Sequence, residues 1–180
     1  MIDAVVTMII SWSMFLLFIT AGIHKLTDRT SFVDSLNDYQ LAPPRMIPLL
    51  SFAVPVCEIS LALLWVFSLI PAVTTIVSAL LLGTYTLAIT INLARGRTHI
   101  DCGCNFSAAG DAGSIISPAL VLRNSVLITA ILFTLLPAFE RDLNWLDYGT
   151  VVLATLVATL FYISISQLMA NNTAIASWRN

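Results

Sequence analysis

The side chains best suited to chemistry gather in one short stretch, Thr98-His99-Ile100-Asp101-Cys102-Gly103-Cys104. Two cysteines separated by a single glycine can close a small disulfide ring, because glycine relieves the backbone at a tight turn. Such a ring is strained, and strain makes a bridge easier to reduce. It also removes little chain entropy, so it is a poor staple and suits a bridge that cycles. Two alternatives stay open. The thiols can be unpaired residues of a polar loop, or Cys102 and Cys104 can join His99 or Asp101, with His24 completing the set, around zinc or copper. Against a metal, the cysteines of structural zinc sites usually stand two to four residues apart. The remaining cysteine, Cys57, lies in an apolar stretch, where a thiol is a small packed and inert group.

Charged or polar groups able to serve such a pair are few. His24 and Lys25 close the first apolar window, and Asn92, Arg95 and Arg97 close the third. A cation beside Cys102 or Cys104 would favour the attacking thiolate. Snorkelling to a membrane interface accounts for Lys25 and Arg95 equally well. Glu58 stands about twelve residues, roughly 18 Å, into its helix at 1.5 Å per residue. A carboxylate at that depth must be neutral, hydrated or paired. Arg123 enters its own helix from the same face and could meet Glu58 directly or through water. Residues His24, Lys25, Glu58, His99, Asp101, Arg123 and Asn124 are therefore the candidates for lining a pocket under the cysteines or tuning them.

The elements that must position these residues follow from composition. The chain has 180 residues, 58% of them hydrophobic and 10% charged, with a mean hydropathy of +0.93. A soluble domain carries about 25% charged residues, so this chain cannot cover a water-facing surface. It reads as an all-α integral membrane protein in one domain. Five windows are long enough for a ~30 Å hydrocarbon core: residues 4–23, 46–70, 72–94, 115–136 and 149–169. They contain only two of the eighteen charges, Glu58 and Arg123. Backbone groups in lipid must be satisfied within the segment, so the windows are predicted helices. The expected architecture is a transmembrane helix bundle of about five spans, four in the core and one alongside, packed partly through Ala79, Gly83, Ala154 and Ala158.

Met1-Ile2-Asp3 precedes the first window without a Lys or Arg, which predicts a retained helix in place of a cleaved signal. Pro71 marks a tight turn between the second and third spans. Residues 31–36 read as a short amphipathic helix closed by Pro43-Pro44. Residues 95–114 form the loop bearing the cysteines. Trp12, Trp65, Trp145, Trp178, Tyr148 and Tyr162 read as interface anchors or helix packing.

Five spans place both long loops on one face. That face carries six basic residues outside the spans, against Arg141 alone on the other. The positive-inside rule would put it in the cytoplasm. A net charge of −2 gives no support to nucleic-acid binding or a polybasic lipid patch. Neither a phosphate-cradling glycine loop nor a nucleophile elbow is present.

Four stretches carry a family likeness. Gly22-Ile23-His24-Lys25-Leu26, Asp101-Cys102-Gly103-Cys104, Leu120-Val121-Leu122-Arg123-Asn124 and Asn144-Trp145-Leu146-Asp147-Tyr148 resemble the MauE family, a relative of DoxX-like membrane proteins linked to methylamine utilisation. The likeness follows motif order over nearly the whole chain and departs at Asn105-Phe106-Ser107, where the family more often shows Phe-Gly. The resemblance implies a maturation factor in the inner membrane, with Cys102 and Cys104 as a redox pair. It implies a MauD-type thioredoxin-like periplasmic partner and, as substrate, the disulfide-rich small subunit of a quinone-cofactor amine dehydrogenase. It favours an extracytoplasmic cysteine face, against the basic-residue count. Two other classes stay open: a non-enzymatic scaffold that docks the thioredoxin-like protein, and a membrane protein that handles a quinone or a metal.

Overall fold

The computed structural model describes residues 2–97, 116–139 and 142–178. Helix α1 (Ala4–Thr27) starts where the Asp3 carboxylate accepts the Val5 N–H at 2.9 Å, a side-chain cap for an otherwise orphaned donor. It runs past the expected end at residue 23, so His24 and Lys25 lie on its last turn. Asp28 then ends one helix and begins the next. Its N–H donates to the His24 carbonyl, and its carboxylate accepts the N–H and hydroxyl of Ser31. Helix α2 (Arg29–Tyr39) is longer than the expected residues 31–36, and stops at Gln40, in the left-handed conformation with φ 48°.

Pro44–Met46 form a 3₁₀ turn that leads into α3 (Ile47–Phe67). Helix α4 (Pro71–Ala94) follows after Ser68, which also adopts φ 48°. The tight turn expected at Pro71 is present, with proline in the first turn of α4, where its missing N–H costs nothing. Helix α5 (Pro118–Phe133) is shorter than the apolar window suggested. Its sixteen residues make roughly 24 Å at 1.5 Å per residue, less than a full hydrocarbon core. Helix α6 (Trp145–Trp178) carries an apolar span over Trp145–Leu168. A two-residue parallel bridge pairs β1 (Ile2–Asp3) with β2 (Ala138–Phe139). That bridge ties the start of α1 to the chain leaving α5, at the end of the bundle opposite the long loops.

Met14 and Phe18 of α1, Leu61, Ala62 and Trp65 of α3, Leu82 of α4 and Ile131 of α5 form the main core. Four helices thus share one interior, and α6 lies alongside, packed on α1. Large apolar side chains such as Phe52, Leu80, Leu122, Leu153 and Phe161 point outward from α3, α4, α5 and α6. Together with four helices long and apolar enough to cross a membrane, and a shorter fifth, this describes a multi-pass helix bundle with its greasy face turned to lipid. Trp65 is buried and donates its Nε1–H to Ser78 Oγ at 3.0 Å, so it joins α3 to α4 and is no interface anchor. Trp145 and Tyr148 are exposed at the start of α6.

The small-residue expectation needs one correction. A Cβ added to Gly83 would meet no atom within 4 Å, so no neighbouring helix presses on that position. The close approach is at Gly22. A Cβ there would lie 2.7 Å from Ile59 Cγ1 and 3.1 Å from the Pro55 carbonyl oxygen. Only glycine lets α1 and α3 meet at that depth.

Candidate buried charge site

Gly22 sets up the site. One helical turn beyond it on the same face of α1, the Lys25 side chain reaches α3 and places Nζ 2.6 Å from Glu58 Oε1. Both side chains are buried, at 2% and 1% exposure. Tyr85 of α4 donates its hydroxyl to the same Oε1 at 2.8 Å. Lys25 Nζ also faces two aromatic rings, 5.6 Å from the Phe32 centroid and 5.3 Å from that of Tyr85. These rings replace part of the hydration that the ammonium loses on burial. Helices α1, α2, α3 and α4 therefore converge on a single ion pair.

The pairing corrects two sequence-based expectations. Glu58 is held by Lys25, so the direct pairing with Arg123 does not form, and Lys25 does not snorkel. Arg123 crosses from α5 to α6, where its Nη1 donates to Ser166 Oγ at 3.2 Å and its guanidinium lies 5.2 Å from the Tyr162 ring centroid. The two sites still meet. A cavity of about 40 Å³ is lined by His24, Lys25, Glu58, Tyr85, Arg123 and Asn124, among others. Glu58 Oε2 and Arg123 Nε are both buried and lack a hydrogen-bond partner among the described residues. A space of that size between an acceptor and a donor suits one or a few water molecules.

The loop end of the bundle is built by a second cluster. Ile89, Ile116 and Leu120 are buried together, with Tyr39, Leu93 and Val121 packed around them. Asn92, fully buried in the last turns of α4, donates from Nδ2 to the Tyr39 and Ala88 carbonyls at 3.2 and 3.1 Å. Arg29 of α2 donates to Ser51 Oγ of α3 at 3.2 and 3.3 Å. Helix α2 is thereby fixed across the mouths of α3 and α4. The chain leaves this surface at Arg97 and returns at Ile116. His99, Asp101, Cys102 and Cys104 fall between those points and lie outside the described residues.

His24 is exposed yet borders the small cavity. Next to it, Asp28 is held below the usual carboxylate range, first by the hydroxyl and N–H of Ser31, then by Thr30 and the nearby His24. Cys57 is half-buried against the main core. Among the described residues, no three His, Cys, Asp or Glu side chains come together as a metal site. Sequence reasoning missed Tyr85, Phe32 and Tyr39. Tyr85 left one signal, a hydroxyl-bearing ring in the middle of an apolar window.

Residues 3–137 match the family model described as Methylamine utilisation protein MauE. This chain belongs to the MauE family. A methylamine utilization protein MauE from Paracoccus versutus is 36% identical over 154 residues, covering 84% of this chain and 81% of that protein. Its counterpart from Paracoccus denitrificans is 32% identical over 155 residues, covering 85% and 81%. One from Methylophilus methylotrophus is 31% identical over 102 residues, covering 57% of this chain and 54% of that protein. No solved structure matches. The MauE match takes in α1 to α5, the Lys25–Glu58 pair, Arg123 and the cysteine loop, and it ends before α6. The family match thus takes in the four-helix core with its α2 cover, and the matches to the two Paracoccus proteins, at 84% and 85% of this chain, reach into α6.

Proposed function

We propose that this MauE-family chain is an inner-membrane thiol–disulfide exchange factor. In this reading it works with a thioredoxin-like partner to form disulfides in, and so mature, the small subunit of a quinone-cofactor amine dehydrogenase. The observation that carries the reading is the Cys102-Gly103-Cys104 triplet, five residues beyond Arg97 and twelve before Ile116. A fully extended chain gains at most about 3.6 Å per residue, so Cys102 is tethered within roughly 18 Å of Arg97. That ties the pair to the C-terminal end of α4, the helix whose Tyr85 donates to the buried Glu58.

The chemistry balances as an exchange. A thiolate of the partner attacks one sulfur of the Cys102–Cys104 disulfide, a partner–loop disulfide forms, and the other loop sulfur leaves as a thiolate that takes up a proton. The partner's second thiolate then displaces the loop sulfur. The loop gains two electrons and two protons, and the partner leaves as a disulfide able to oxidise substrate thiols. The strain of the small ring favours the first step. A cytosolic pair would be held reduced, so the cysteine face is assigned to the periplasm. Labelling of intact cells with a membrane-impermeant thiol reagent tests this, and protection of Cys102 and Cys104 until lysis would overturn it.

Substituting Cys102 or Cys104 singly with serine removes the disulfide that the partner attacks, so forward exchange stops. In the reverse direction the remaining loop thiolate attacks the disulfide of the oxidised thioredoxin-like partner, and one of the two variants is expected to accumulate that adduct, with the partner's other sulfur released as a thiolate. Normal amine dehydrogenase maturation in the C102S/C104S double variant would refute the reading and leave a docking scaffold.

A further inference from the structure

Under α2 lies a second cavity of about 240 Å³, between the loop-side halves of α3 and α4. Its walls include Phe32, Tyr39, Tyr85, Val54, Ala88 and Ile89, and Lys25 stands at its floor. Helices α3 and α4 are bound to each other near their shared turn by Trp65 and Ser78, and the cavity occupies the other end of the pair. Thr84, at mid-helix depth on α4, and Leu41, just beyond α2, are exposed and border it, so the cavity reaches the surface of the bundle.

Three features define what would fit. The volume exceeds the roughly 150 Å³ of an apolar cavity that accepts a benzene ring. Lys25 is matched by Glu58, so the floor as a whole is neutral, and a charged head group among these apolar walls would be costly. Yet the Lys25 ammonium has three N–H donors, of which Glu58 Oε1 takes one. A neutral planar ring with carbonyl oxygens can lie against the aromatic walls and accept from that ammonium. A bare acyl chain uses neither feature.

We infer that this cavity is a quinone site, entered from the membrane, at the end of the bundle where the chain leaves at Arg97 and returns at Ile116. The inference rests on the exchange reading for its role. Once the partner has reduced the loop, the Cys102 and Cys104 thiols give up two protons and two electrons to the two carbonyl oxygens of the quinone. An S–S bond forms, the quinone becomes a hydroquinone, and the loop is ready for another partner.

The test separates binding from redox. A photoreactive azido-benzoquinone is applied to the purified full-length protein in nanodiscs, using wild type and the C102S/C104S variant. Both should be labelled within residues 25–54 or 84–92, and a decyl-tailed benzoquinone should compete. Ala88→Trp, which fills the cavity, and Thr84→Trp, which obstructs its mouth from an exposed position, should each reduce labelling at least tenfold. Labelling elsewhere, labelling unchanged by both variants, or retention of phospholipid that quinone cannot displace would overturn the site. In the second arm, dithiol-form wild type should yield one hydroquinone per loop disulfide formed. Cavity labelling without hydroquinone would overturn the quinone as the loop's oxidant, while trapping of the thioredoxin-like partner reports separately on the exchange.

Discussion

Lys25 of α1 and Glu58 of α3 meet 2.6 Å apart in the interior of the bundle, and Glu58 is the single formal charge on α3. The contact exists because Gly22, one turn earlier, lets the two helices close. Taking two charges out of water is costly, and their attraction recovers that cost only in good geometry. The Tyr85 hydroxyl and the Phe32 and Tyr85 rings supply the additional partners.

Breaking one half of the pair should therefore hurt more than removing both. Lys25→Met leaves Glu58 uncompensated and is expected to cost about 3 to 5 kcal/mol, whereas K25M/E58L should recover much of that loss. A double-mutant cycle of detergent-phase unfolding, with Glu58→Leu as the other single variant, measures the coupling. Additive losses would show that the two groups do not stabilise each other.

Gly22→Ala forces a methyl group to within 2.7 Å of Ile59 Cγ1 and against the Pro55 carbonyl. Overpacking of this kind costs about 1 to 3 kcal/mol. Gly83→Ala meets nothing within 4 Å and is the matched control, expected to be neutral or mildly stabilising. Thermal unfolding of the two variants side by side checks the contrast.

Arg123 is the bridge from α5 to α6, through Ser166 and the face of Tyr162. Tyr162→Leu removes the ring and should weaken the bridge by about 0.5 to 2 kcal/mol. Paired cysteines on α5 and α6 should then cross-link more slowly, while those on α1 and α3 keep their rate.

Acid should loosen α2 through Asp28. Its carboxyl is held below the ordinary range by Ser31, so the ionised form is favoured in the folded state. The stabilisation is present above the unfolded-state pKa and is lost as pH falls through the depressed folded value. Asp28→Asn keeps an acceptor for the Ser31 N–H but cannot titrate. The difference in melting temperature between wild type and D28N should therefore change on acidification through the carboxylate range and stay level above it.

How much of this the sequence held differs by scale. The segregation of charge out of the apolar windows made the membrane bundle legible, because lipid permits few alternatives for the backbone. The Pro71 turn and the amphipathic α2 were readable from residue chemistry alone. The partner of Glu58 was not, since pairing depends on how closely two helices pack, and that was decided by Gly22 within a motif noted only for its order. Arg123, inside its window, looked better placed for Glu58 than Lys25 at the end of its own, but a sequence does not show that Ser166 and Tyr162 wait on α6. Gly83 shows the converse, a small residue with no helix against it.

The most direct measurement is the redox state of the loop itself. Purified protein with Cys102 and Cys104 oxidised is mixed with an excess of the reduced thioredoxin-like partner, quenched in acid, alkylated and weighed by mass spectrometry. The account predicts that each loop gains two alkyl groups while one partner disulfide appears for each loop disulfide lost. A loop that stays oxidised, or whose cysteines never form a bridge with each other under air or quinone, would contradict it.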